Sequence, residues 1–181
     1  MLFVYEQLGK EYLAKAFHYA HEADPEAKLF YNDYSLSTDQ KKRETTKIWL
    51  DSLRTAGVPI HGIGLQMHIG INDNQAEIQT AIESFASDGY VIHLSEIDIS
   101  MNRADRRLSE PTDKKLAQQA EMMRFVKQVY DELSPELQYG LTFWGIGDDD
   151  SWIPGWFNRE DYPLLFDQSY QPKPMYCTMW D

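Results

Sequence analysis

A single cysteine, Cys177, stands among the 181 residues, so no intrachain disulfide and no cysteine-built metal site can form. Basic residues are scarce as well: 17 Lys and Arg face 29 Asp and Glu, a formal net charge of -12. That deficit, with no Lys/Arg run interleaved with aromatics, argues against nucleic acid or an anionic membrane as partner. No stretch is long and apolar enough to span a bilayer, and the opening residues lack the basic and apolar regions of a leader peptide. Also missing are a G-x-S-x-G elbow, a Gly-rich phosphate loop and an H-E-x-x-H pair. Seryl or cysteinyl nucleophiles and zinc-dependent hydrolysis thereby lose their usual sequence support, and no cofactor is expected.

Apolar and aromatic residues are plentiful, at 43% and 13%, which argues for one folded domain with a sizeable core. Helical spacing of apolar residues spans Tyr5 to Ala23, and Asp24-Pro25 closes that helix. Further helices are expected at 39–56, at 74–86 behind an Asn74/Glu77 capping box, and from Thr112 to Leu133. Strands are expected at 28–34, 59–68, 91–99 and 139–146. A polar loop covers 100–111 and a second one 147–152, with an irregular tail ending in a short segment near 175–180. Alternating strands and helices imply a parallel sheet with right-handed crossovers. Four such strands make a small open sheet or half of an eight-stranded barrel.

The most informative segment is Val91-Ile92-His93-Leu94-Ser95-Glu96-Ile97-Asp98-Ile99, an apolar strand that ends in carboxylates. Strict alternation puts Ile92, Leu94, Glu96 and Asp98 on one side, and turns His61 and His93 outward on their strands. A buried carboxylate is costly unless paired or put to use, so Glu96 is read as a nucleophile, base or acid. The other strands also end in polar or aromatic residues: Asn32, Asp33 and Tyr34, then Gln66 and His68, then Trp144. In parallel α/β folds active sites lie at these C-terminal ends. Gly62 and Gly64 share a face with Gln66 and His68 and suit a crowded barrel interior. A metal held by His68, Glu96 and Asp98 is a rival reading with no short-spaced histidine motif behind it.

Five ordered blocks carry a family resemblance: Leu29-Phe30-Tyr31-Asn32-Asp33-Tyr34, Val58 to His68, Ser95 to Ile99, Thr142-Phe143-Trp144-Gly145-Ile146, and Asp150-Ser151-Trp152 with the later Leu164 to Asp167 and Pro172-Lys173-Pro174. In this order and spacing they resemble glycoside hydrolase family 10, the endo-1,4-β-xylanases. The resemblance implies a (β/α)8 TIM barrel, a retaining mechanism and xylan or xylo-oligosaccharides as substrate. It implies Glu96 as the nucleophile, His68 bonded beside it with Asp98 orienting that ring, and a cleft lined by Asn32, Tyr34, Gln66, Trp144 and Trp152. Two departures stand out. Ile153 occupies the place of the family's arginine after Asp-Ser-Trp, and no Trp-Asp-Val-Val-Asn-Glu type motif supplies the acid/base glutamate.

The chain is therefore expected to hold strands five to eight as one unit, residues 1–181, and to be a piece of a longer enzyme. Alone it is expected to be inactive and to associate with the N-terminal half of the barrel or with itself. A non-catalytic, xylan-binding half barrel is the rival outside enzymology. Extracellular or periplasmic action is expected from a polymeric substrate.

Overall fold

Apolar residues two apart flanked by Gly, Asn and Asp produce four strands, β1 Phe30–Tyr34, β2 Gly62–Gly70, β3 Val91–Ser100 and β4 Gln138–Phe143. In the computed structural model, which describes residues 6–103 and 110–180, they form one parallel sheet in the order β1-β2-β3-β4. Sequential order with a helix after each of the first three strands is the βα repeat that the sequence pattern implies. The helices are α1 Tyr12–Ala23, α2 Gln40–Thr55, α3 Gln75–Ser87 and α4 Asp113–Asp131, followed by the short α5 Ile153–Phe157 and α6 Pro174–Cys177. Tyr5, placed at the head of the first helix from sequence, and six residues of the 100–111 loop lie outside the described residues.

Helix ends follow side-chain chemistry. Asp39 accepts the Lys42 N–H at the start of α2, and Gly57 takes a φ of +83° just beyond its end. Thr112 caps α4 through the Lys115 N–H. Asn74 caps α3 by accepting from Ala76 and Glu77, but the reciprocal half of the expected box is spent elsewhere. The Glu77 carboxylate turns to Arg43 of α2, 2.8 Å away, tying the two helices together. An ion pair to a buried guanidinium won over the local backbone contact.

The sheet's two faces differ sharply. Ile63, Leu65, Met67 and Ile69 of β2, with Ile92, Leu94, Ile97 and Ile99 of β3, are fully buried in the core with Ile78, Ile82 and Phe85 of α3 and Met123 and Val126 of α4. The opposite face carries Phe30, Gly62, Gly64, His93 and Tyr139. Its aromatics touch one another, with Phe30 and Tyr139 centroids 4.5 Å apart, yet Tyr139 remains 55% exposed. Helix α1 contributes only Phe17 to the buried core, with Leu13 and Ala14 beside it, while Ala16 and Ala20 face solvent.

Candidate active site

Strict alternation does not hold along β3, and the departure builds the site. Between the pairs Gln66↔Ser95 and His68↔Asp98, β3 spends three residue steps where β2 spends two. The extra residue is a β-bulge, and Glu96 within it adopts a left-handed φ of +54°. Left-handed backbone in a non-glycine residue costs on the order of 1–3 kcal/mol and recurs where function fixes the geometry. Ile92 and Leu94 therefore face the helices, whereas Ser95, Glu96 and Asp98 turn toward the inner rim. His93 is corrected by the same argument. It lies on the inner face, 5.1 Å from the Tyr139 ring, with Nε2 2.8 Å from the Thr142 hydroxyl. His61 is a structural residue: its Nδ1 accepts the Leu29 N–H.

Glu96 sits between two donors. Asn32 at the inner face of β1 donates from Nδ2 to Oε1 at 2.7 Å, and His68 Nε2 lies 3.2 Å from Oε2. Asn32 is itself oriented, because its Oδ1 accepts the Ser95 hydroxyl at 2.6 Å. Room for this amide comes from Gly64, where an added Cβ would fall 2.4 Å from Asn32 Oδ1. Gly62 plays the same part for the Phe30 ring. The bare positions in β2 thus answer bulky inward residues in β1, the crowding the two glycines foreshadowed.

Asp98 occupies the far edge of the His68 ring. Its Oδ2 lies 2.8 Å from His68 Nδ1 and accepts the Trp152 indole N–H, also at 2.8 Å, with the residue only 1% exposed. Burial works against charge on the imidazole, but the carboxylates of Asp98 and Glu96 outweigh it and hold the His68 pKa above its ordinary value. Both carboxylates favour a protonated ring, the form in which His68 donates to each of them. Trp152 tilts against the same ring at 5.2 Å between centroids, and Trp144 meets it edge-on at 6.2 Å. Gln66 and Tyr34 line an adjoining cleft of about 710 Å³ that reaches His68 and Asp98. The eight residues that the resemblance implies thus stand within one neighbourhood at the C-terminal rim; Asp33, also read from the end of β1, turns away, accepting the Tyr31 hydroxyl and pairing with Lys42.

The segment after β4 is what brings Trp152 there, and its anchors were not legible beforehand. Asp148 is buried, accepts the Leu164 N–H and binds Lys173 Nζ at 2.9 Å; Lys173 also donates to the Tyr162 carbonyl. Asp161 receives the Met101 N–H and the Ser100 hydroxyl, and pairs with Arg159. Gln119 of α4 donates to the carbonyls of both Ile99 and Tyr162. Buried polar groups satisfied in this way fix a long irregular segment over the end of β3. Lys173 stood in a quoted block, but a partner 25 residues away leaves no local signal.

Residues 2–181 match the profile of Glycosyl hydrolase family 10. The chain belongs to that family. An endo-1,4-beta-xylanase of Geobacillus stearothermophilus is 42% identical over 175 residues, which cover 93% of this chain and 52% of that protein. Among solved structures, a thermostable mutant of a xylanase from Cellvibrio japonicus aligns with a TM-score of 0.88 at 32% identity, over 97% of this chain and 55% of the other. Xylanase 10B from Thermotoga petrophila RKU-1 in complex with xylobiose gives 0.86 at 36% identity, over 97% and 52%. The chain spans about half the length of these relatives. Its four parallel strands with their helices are half of the family 10 (β/α)8 barrel.

Proposed function

We propose that this chain is the nucleophile-bearing half of a retaining endo-1,4-β-xylanase. The observation that carries the reading is the bulged Glu96 carboxylate, gripped by Asn32 and His68 and standing at the inner rim. Glu96 attacks the anomeric carbon and forms a glycosyl-enzyme ester as the glycosidic C–O bond breaks and a second carboxyl group protonates the leaving oxygen; water then hydrolyses the ester. Asn32 orients one of the Glu96 oxygens, and the His68 ring, steered by Asp98, stands against the other. Trp144 and Trp152 wall the reacting sugar, and Gln66 and Tyr34 extend the polar and aromatic lining. Support for xylan as the substrate comes from the named relatives, among them one in complex with xylobiose.

Retaining hydrolysis needs a second carboxyl group about 5–5.5 Å from the nucleophile, protonated to aid the leaving oxygen. Asp98 does not fill that role: it is buried, and its Oδ2 is committed to His68 and Trp152. The family resemblance places the acid/base residue on the other half of the barrel, which would also cover the exposed inner aromatics and pair the open edges of β1 and β4. Xylan hydrolysis then requires both halves. The alternative, a binding half barrel without chemistry, draws on a cleft formed by this chain's own residues. A polymeric substrate carries extracellular or periplasmic action with it, although one structural relative is described as an intracellular xylanase.

The test is to mix the purified chain with strands one to four of a family 10 relative and treat the complex with a 2-deoxy-2-fluoro-xylobioside bearing a good leaving group. The expected adduct, mapped by peptide mass spectrometry, is on Glu96. A label on another side chain refutes the mechanism, and strong xylan turnover by the chain alone refutes the division of labour.

A further inference from the structure

Trp156 is 75% exposed, yet it borders the same cleft as His68 and Asp98. Its position is fixed by a short, well-built turn. Ile153 is buried at the head of α5, Pro154 occupies the first turn, and Asn158 ends the helix in the left-handed conformation. The Trp156 N–H donates to the Trp152 carbonyl at 3.1 Å. An anchored Ile153 and a helical turn hold the indole three residues on at the cleft lip. The ring centroids of Trp152 and Trp156 are 6.3 Å apart, and Phe157 lies 5.5 Å from Trp152. Arg159 braces Phe157 from 4.7 Å. One wall of the cleft is thus a continuous aromatic surface, starting at the ring that donates to Asp98 and ending at an uncovered indole.

We propose that Trp156 is a stacking platform for a xylose unit one or more positions beyond the unit that lies against Trp152. This rests on the xylan reading above and deepens it by making the chain a binder of longer oligosaccharides. A xylopyranose ring presents a flat face of C–H groups and has no hydroxymethyl arm, so it lies flat on an indole. The indole contributes apolar contact and the electron-rich ring face contributes attraction for those C–H groups. Across the cleft, Gln66, Ser35, Thr38 and Arg103 offer the polar partners that sugar hydroxyls need. The wall continues from Trp152, which in the xylan reading lies against the reacting sugar, so the occupant is the same carbohydrate chain.

The experiment is calorimetric titration of the chain, reassembled with strands one to four of a family 10 relative and carrying Glu96→Ala to prevent turnover, with xylobiose through xylohexaose, for this parent and for the same complex with Trp156→Ala or Trp180→Ala. Trp180 is a control of matched exposure, 76%, outside the cleft lining. Circular dichroism checks that both exposed substitutions leave the fold unchanged. Trp156→Ala should weaken pentaose and hexaose binding roughly tenfold and leave xylobiose unchanged, with Trp180→Ala without effect. Pentaose affinity within about twofold of the parent overturns the platform alone. An equal loss for short and long ligands overturns its distal placement. A reassembled parent, its assembly verified by native mass, that binds no xylo-oligosaccharide overturns the xylan reading and the platform together.

Discussion

The helix-side face of the sheet is finished; the inner face is not. On the outer side Ile63, Leu65, Met67, Ile92 and Leu94 are wholly excluded from water by α3, α4 and their neighbours. On the inner side Tyr139 and Trp144 remain about half exposed, at 55% and 48%, and Asn32 faces solvent. Both faces come from the same strands, so the difference lies in what covers them. The outer helices are connected to the strands in sequence, and local folding brings them into place. The inner face of a barrel is covered only by strands from across it. Stability therefore resides on one side of this chain and the candidate site on the other.

The sharpest way to break that contrast is Glu96→Ala in the reassembled barrel. Turnover of an aryl xylobioside should fall on the order of 10^5-fold, while the melting temperature of the complex changes little. A large stability loss with modest loss of rate would make Glu96 a structural residue and erase the distinction. On the finished face, Leu94→Ala should cost about 2–5 kcal/mol in urea unfolding, because its fully enclosed side chain leaves a cavity. On the unfinished face, Tyr139→Ala should cost under about 1 kcal/mol in the isolated chain, since much of its ring is already wet. Equal losses at the two positions would show that the inner face is covered in solution.

Smaller effects sharpen the picture at the rim. Gly64→Ala places a methyl group against the Asn32 amide, which must swing away from Glu96. Rate in the reassembled enzyme should fall about a hundredfold, with a stability cost near 1–3 kcal/mol. The last prediction concerns pH. The folded-state pKa of His68 is raised, so the stability from its two carboxylate contacts is fully present below the unfolded value of about 6.5. It is lost as pH rises through the folded value. Parent melting temperatures should decline across that interval by more than those of His68→Gln, and a histidine proton resonance titrating above the ordinary range should vanish in the variant.

Much of the layout was legible because the signals are local. Alternating apolar strands and amphipathic helices with Asp39, Asn74 and Thr112 at their heads give the βα order directly. The family blocks pointed to the residues that the structure then gathers at one rim. The inward turn of His93 was missed because alternation counts residues, and one bulged residue reverses every assignment on one side of it. Trp156 went unnoticed because one exposed tryptophan in an irregular segment has no periodic partner; the Trp152/Trp156 interval is the signal that could have marked it.

By itself the sequence determined the family, the strand and helix order, and the chemistry available: carboxylates, one imidazole and flat aromatic rings at strand ends. Tertiary structure alone decided that Glu96 turns inward through a left-handed backbone, and that Asn32 and His68 hold its two oxygens from neighbouring strands. It also decided that Lys173 and Asp148 fasten the segment carrying Trp152 over the sheet. The reason is the range of the forces involved. Periodicity and capping act over three or four residues, whereas the bonds that fix this site join residues 25 to 64 positions apart.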